Sequence, residues 1–389
     1  MREVYLDYSA TTPVKKEVLE EMLPYFTEKF GNPSSLYRIG LESKDSLLVA
    51  RKKVADLISA SEREVYFTSS GTEADNWAVI SGAKAREKKG NHIITTKIEH
   101  HAVLHACEYL EKNGFSVTYL GVNEAGLISL DELENAITDK TTLISIMYAN
   151  NEIGSIQPIK EIAQIAKKHD VLFHTDAVQA LGNIEIDVKD LGIDMMSISA
   201  HKIYGPKGIG ALYIRKGLII PNYMHGGAQE NNKRAGTENL TGIVGFGKAA
   251  EICKSNISNH IEHVKGLRDY FIKELFSKID DLEINGGMEH RLPGNANIVF
   301  TGVEGEALLL YMDVRGISAS TGSACSSATF AASHVLQALS YPLERVYCSI
   351  RFTTGDFTTK EDIDYAVSEI EMIVAKLRAF SPLYVKKGN

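Results

Sequence analysis

From about residue 60 to residue 215 the chain alternates between short β-rich runs and stretches with helical spacing. The runs are Glu64–Thr68, His92–Thr96, Ser116–Leu120, Thr142–Tyr148, Val171–Thr175, Met195–Ser199 and Gly210–Ile214. Several are apolar almost throughout, the pattern of strands covered on both faces, so the spacing predicts a largely parallel sheet between layers of helices. Ile252, Ile257, Ile261, Val264, Leu267, Phe271 and Leu275 then recur at helical intervals between charged residues. They predict a long amphipathic helix leading into a second unit of roughly 256–389, with strands at Ala296–Phe300 and Val346–Phe352. Val385–Asn389 reads as a frayed tail.

The bulk numbers narrow the possibilities. A chain of 389 residues suits one large and one smaller domain. A hydrophobic fraction of 44% and a charged fraction of 24% are those of an ordinary globular protein. A net charge of −8 argues against nucleic acid or an anionic membrane as a partner. No apolar run is long enough to span a bilayer and the first residues show no leader pattern, so a cytosolic protein is expected. The four cysteines, Cys107, Cys253, Cys325 and Cys348, form no CxxC motif and no disulfide framework. Three of them sit in helical or strand patterns and read as packing residues. Cys325 is different: it stands in Ser318–Phe330, SASTGSACSSATF, a run of small polar residues with no apolar surroundings.

Three strand ends carry unusual residues. Thr68-Ser69-Ser70-Gly71-Thr72 closes a strand and opens a helix, where free N–H groups and the helix dipole favour a phosphate; the same residues also serve as a plain N-cap. Asp176 ends an apolar strand, a costly place for a carboxylate without a cation, although a capping aspartate is equally common there. Lys202 follows another nearly apolar strand in Ser199-Ala200-His201-Lys202, where desolvation would lower its pKa and leave a reactive amine, although a lysine in a glycine-rich turn is more often a solvated surface charge. Taken together, an anion cradle, an acid and a lysine are the parts that hold pyridoxal 5′-phosphate (PLP).

HTDAVQ at 174–179, SAHKIYGPKGIG at 199–210, TSSGTEADN at 68–76, YANNEIG at 148–154, RAGTEN at 234–239 and TGSACSS at 321–327 resemble, in this order of roles, the NifS/IscS-like cysteine desulfurases. These are class V aminotransferase-family enzymes of PLP fold type I. The resemblance runs from Tyr5 to near the C-terminus. It implies an α/β architecture: a large PLP-binding domain at 15–255 with a mainly parallel seven-stranded sheet covered by helices, and a smaller α+β domain from 1–14 and 256–389 carrying the cysteine loop. It implies that Lys202 bonds the cofactor aldehyde, that Asp176 faces the ring nitrogen, and that His100 stacks on the ring and moves protons. Gln179 would meet the ring hydroxyl, and Gly71, Thr72, Ser199 and His201 would hold the phosphate. Thr237 would reach the phosphate of a neighbouring subunit, which implies a homodimer. Asn151, which would also contact the cofactor, and Arg351 would bind the substrate carboxylate, and Cys325 would accept sulfur from L-cysteine as a persulfide, leaving L-alanine. An iron–sulfur scaffold or another sulfur acceptor would follow. After the cysteine, Ser327–His334 departs from the family in lacking glycine and proline. A selenocysteine lyase or an aminotransferase of the same fold would share this cofactor apparatus.

Other motifs carry less. His101 and His105 have i, i+4 spacing but no acid completes HExxH, so no metal site is expected. Gly242–Ala249 mimics a phosphate loop but ends in alanine where magnesium needs a hydroxyl, and reads as the start of a packed helix. Trp77 reads as core.

Overall fold

The computed structural model describes residues 2–321, 332–382 and 384; Cys325 and the tail 385–389 lie outside the described residues. Twelve described strands are numbered in chain order: β1 Val4–Tyr5, β2 Val65–Thr68, β3 His92–Thr96, β4 Ser116–Leu120, β5 Thr141–Ser145, β6 Leu172–Asp176, β7 Met195–Ser199, β8 Gly210–Ile214, β9 Leu282–Ile284, β10 Asn295–Phe300, β11 Ile317–Ser318 and β12 Ser349–Thr353. Seven of them make one sheet in the order β2-β8-β7-β6-β5-β3-β4. From β7 to β4 every pairing is parallel, and β8 runs antiparallel to both β7 and β2. The strands β3 and β5–β8 are buried at every position, which is why they read as apolar runs rather than alternating ones.

This order sends the carboxyl ends of β2, β5, β6 and β7 to one edge, where β8 begins. Gly210 permits that crowding: a Cβ there would lie 2.6 Å from the Ser70 backbone. The helix opening at Gly71–Asn76 continues to Ala85 through a π-type segment at Trp77–Ser81. It buries Ala74, Trp77, Ala78 and Val79 against the sheet, so the lone tryptophan is core.

The amphipathic pattern around Ile252–Leu275 belongs to a single helix, Leu240–Lys278, of 39 residues, about 58 Å long at 1.5 Å per residue. Its first turns contain the glycines of the phosphate-loop mimic. Gly247 lies so close to the helix Arg38–Leu57 that a Cβ would sit 2.7 Å from the Ala50 backbone. The glycines are thus packing positions. The far end of the same helix places Phe271 and Leu275 in a second hydrophobic cluster with Leu6, Ile298, Phe300, Phe352, Ile363 and Ile370. There β12, β10 and β9 form an antiparallel sheet, while β1 pairs with β11.

One expectation is corrected. The run from Val346 does not begin as a strand: Leu343–Tyr347 is a short helix and β12 starts at Ser349. Pro342 at its N-cap and Glu344 in its first turn are helix-starting signals that outweigh the β-rich composition. Cys348 is the C-cap of that helix and is buried.

Leu6–Thr12 stitches the second cluster to the turn that follows β7. Thr353 N–H donates to Leu6 O, Ser9 N–H donates to Thr353 Oγ1 at 2.9 Å, and Thr12 Oγ1 donates to His201 O at 2.9 Å.

Candidate active site

The crowded sheet edge encloses a cavity of about 320 Å³, large enough for a compact cofactor with a small substrate. Gly71, Thr72, His100, Asn151, Asp176, Gln179, Ser199, His201, Lys202 and Arg351 all line it. Thr237 does not line it; it is exposed on the loop before Leu240. Cys325 lies outside the described residues, but both flanks of its segment are anchored here. Ser320 pairs through its backbone with Arg351, and Ser333 Oγ donates to Glu152 Oε2 at 2.5 Å. His334 lines the cavity.

At the phosphate end, Ser70 caps the helix by accepting from Glu73 N–H at 3.1 Å. The first N–H groups of a helix lack intrahelical partners, which leaves the turn at Gly71 and Thr72 as an anion cradle. A Cβ at Gly71 would stand 2.7 Å from Val178, so only glycine lets the helix start this close to the Asp176–Gln179 turn. Glu73 is clamped by Arg234 through contacts of 2.7 and 3.0 Å, which ties the 234–239 loop to this helix. The preceding residues Glu230, Asn231 and Asn232 all hold positive φ, and Glu230 is fixed by a buried bidentate pair with Arg51 at 2.6 and 2.7 Å.

At the ring end, Asp176 Oδ1 accepts from Val178 N–H at 2.9 Å. Burial raises its pKa to about 6, against the lowering influence of that N–H and of Lys202. Lys202 Nζ donates to Ala10 O at 2.8 Å and to Ser9 O. Gln179 spends an Nε2 hydrogen on Ser9 O at 3.0 Å and leaves its carbonyl for a ligand. His100 accepts from Ala102 N–H at Nδ1, 3.2 Å, which puts the proton of the neutral ring on Nε2. Burial, and then the positive charge of Lys202, depress its pKa to about 4, so the imidazole is neutral near pH 7.

At the substrate end, Arg351 is 2% exposed. Its Nη2 donates to Asp7 Oδ1 at 2.7 Å and its Nη1 to Asn151 O at 3.0 Å, fixing the plane of the guanidinium. A positive fork held rigid in a buried pocket suits a carboxylate.

The chain belongs to the aminotransferase class-V family, within its NifS/IscS-like cysteine desulfurases. The family profile matches residues 4–366. The cysteine desulfurase IscS of Dictyoglomus turgidum is 54% identical over 381 residues, spanning 98% of this chain and 97% of the relative. A solved structure titled NifS-like protein superposes with a TM-score of 0.91 at 38% identity, covering 96% of this chain and all of that one. Another, titled SspA in complex with cysteine, superposes at 0.81 with 36% identity over 92% of this chain. PLP is the cofactor of this enzyme class. The donor set fits it: an amine for the aldehyde, a buried carboxylate for the ring nitrogen and a helix start for the phosphate.

Several cavity residues escaped the sequence reading. Asp75 lies one turn along the helix from Gly71, Glu152 sits in the turn after Asn150 and Asn151, and His334 opens a later helix. His101 also lines the cavity, with its ring 4.7 Å from that of His334. The Ser9 and Ala10 carbonyls had no side-chain signature to find. No described group of three or more His, Cys, Asp or Glu is arranged to hold a metal ion, and no described helix is long and apolar enough to cross a membrane.

Proposed function

We propose that this enzyme takes sulfur from L-cysteine and stores it as a persulfide on Cys325, releasing L-alanine. The observation that carries the reading is the single cavity into which Lys202, Asp176, His100 and Arg351 all open, with both described flanks of the Cys325 segment fastened to its wall.

PLP, when bound, supplies an electron sink that weakens bonds at the substrate α-carbon. Arg351 binds the substrate carboxylate and Asn151 helps orient it. Lys202, once the substrate amine has displaced it, is the base that takes the α-proton and returns it. The Ser9 and Ala10 carbonyls stabilise its ammonium form. His100 acts as a neutral imidazole, with Nε2–H as its donor. Asp176 holds negative charge opposite the ring nitrogen. Gln179 meets the ring hydroxyl, and Gly71, Thr72, Ser199 and His201 take the phosphate. The Cys325 thiolate attacks the substrate sulfur: an S–S bond forms, the Cβ–S bond breaks, and the carbon skeleton gains the proton that makes alanine. The balance is enzyme thiol plus cysteine giving enzyme persulfide plus alanine, with no external oxidant.

The enzyme acts as a homodimer in which Thr237 reaches the partner's phosphate. Thr237 is exposed, and Phe26, Phe30, Leu36 and Tyr37 leave 59–90% of their surface uncovered, which supports an apolar contact between copies. The large unit spans 15–255 and the small one 1–14 with 256–389, a division supported by the hydrophobic cluster whose buried members all fall in 4–6 and 271–374. The persulfide passes to an iron–sulfur scaffold or another sulfur acceptor in the cytoplasm. Mass spectrometry after cysteine addition tests the whole reading: one added sulfur on the peptide containing Cys325 supports it, and alanine formation with an unmodified Cys325 overturns it.

A further inference from the structure

The site contains a second carboxylate that the chemistry above leaves unused. Asp75 lines the cavity, is 1% exposed, and its Oδ1 has no hydrogen-bond partner among the described residues. An ionised carboxylate in that position would need a cation. The nearest basic group is His174, whose Nε2 lies 3.8 Å from Asp75 Oδ1. That imidazole is fully buried between two hydroxyls, with Ser145 Oγ 2.8 Å from Nδ1 and Ser197 Oγ 2.9 Å from Nε2. Neither serine can neutralise a ring charge, and burial depresses the His174 pKa to about 3, so His174 is neutral. The groups facing Asp75 are Asp176 from β6, Glu99 before the helix His101–Lys112, and Ser197 from β7, whose hydroxyl hydrogen bond favours the ionised form but is outweighed by burial and Asp176. Burial and then Asp176 push the Asp75 pKa well above the ordinary carboxylate range. Two buried acids therefore stand at the ring end of the cavity, where the bound cofactor offers one ring nitrogen.

We propose that Asp75 is a positioning residue, a neutral carboxylic acid behind Asp176 that confines the single negative charge of the pair to Asp176 and so to the ring nitrogen of PLP. The proposal rests on the assignment of this cavity to PLP. Its test reads the protonation of Asp75 directly, by infrared difference spectra between protein with isotope-labelled and unlabelled aspartate, recorded separately for holoenzyme and apoprotein. Near neutral pH the wild type is expected to show a protonated aspartate carbonyl band in both forms. That band is expected to vanish in Asp75→Asn, which keeps a neutral side chain of the same shape. The cofactor absorbance of Asp75→Asn should titrate with the wild-type midpoint, because no charge has been removed. Absence of any protonated aspartate band in the wild type would overturn the proposal, with no need for the variant to fold. So would a band that persists in Asp75→Asn, or a midpoint moved by a full pH unit. Failure of the PLP assignment would register separately, as a wild-type protein that takes up no PLP and shows no visible absorbance.

Discussion

Replacing Arg351 with lysine isolates what a guanidinium fork contributes beyond its charge. The side chain is 2% exposed and its plane is set by Asp7 and Asn151, so little rearrangement is available to a shorter or differently shaped cation. Lysine keeps one positive charge but can present only a point contact to a substrate carboxylate. The variant therefore loses one charge-assisted hydrogen bond of two, worth about 1.5–3 kcal/mol in a buried setting. At 1.36 kcal/mol per factor of ten, kcat/KM for L-cysteine should fall about 10- to 150-fold. The assay is alanine formation under a thiol reductant over a range of cysteine concentrations, with PLP absorbance as the measure of cofactor loading and a thermal melt as the measure of folding. A loaded, folded Arg351→Lys enzyme with kcat/KM within about threefold of wild type would refute the assignment of Arg351 to the substrate carboxylate. Methionine is the poorer choice, because it leaves Asp7 facing a buried site without its counter-ion.

Four further outcomes are expected. Lys202→Ala should lose the visible absorbance of the covalently held cofactor and drop alanine formation by about 10²–10⁴-fold, the usual contribution of a positioned acid–base group. Cys325→Ala should retain cofactor absorbance yet form neither persulfide nor alanine from cysteine, checked by mass spectrometry and amino-acid analysis. Glu230→Gln leaves Arg51 buried without its anion, and should cost about 3–5 kcal/mol in urea unfolding. Asp356 is a pH probe of stability: burial opposes its ionisation, but His260 and Lys15 outweigh that and hold its pKa at about 2, below the ordinary 3.8. A carboxyl with a lowered folded-state pKa stabilises the fold above its unfolded value and loses that contribution as pH falls from about 4 to 2. The contribution is about 2 kcal/mol, and Asp356→Asn should flatten the acid limb of the stability profile over that window.

Five strands of the large sheet, β3 and β5–β8, were legible because both of their faces are buried, which strips polar residues from short runs and leaves Asp176 and the Ser199–Lys202 turn conspicuous at their ends. The Val346 run misled because its β-rich composition hid the start signals at Pro342 and Glu344, which act before the run begins. Asp75 was invisible for a different reason. A charged residue one turn into a helix is ordinarily solvated, and only the stacking of that helix on β7 and β8 takes this one out of water. Glu152 and His334 were hidden likewise, since their burial depends on where the elements on either side of the Cys325 segment are packed. The glycine pattern at 242–249 could be rejected as a phosphate loop from one missing hydroxyl, but its partner, the Ala50 backbone, could be known only from the packed helices.

The leading residues of this chain are the part that protein production most often treats as disposable. Here Ser9 and Ala10 present their carbonyls to the lysine amine, and Leu6 anchors the same segment in the other hydrophobic cluster. Trimming a dozen residues from the front, or fusing a bulky tag that drags on them, is thus an alteration of the catalytic chamber itself. It would loosen the grip on the amine and unfasten one core from the other in a single stroke.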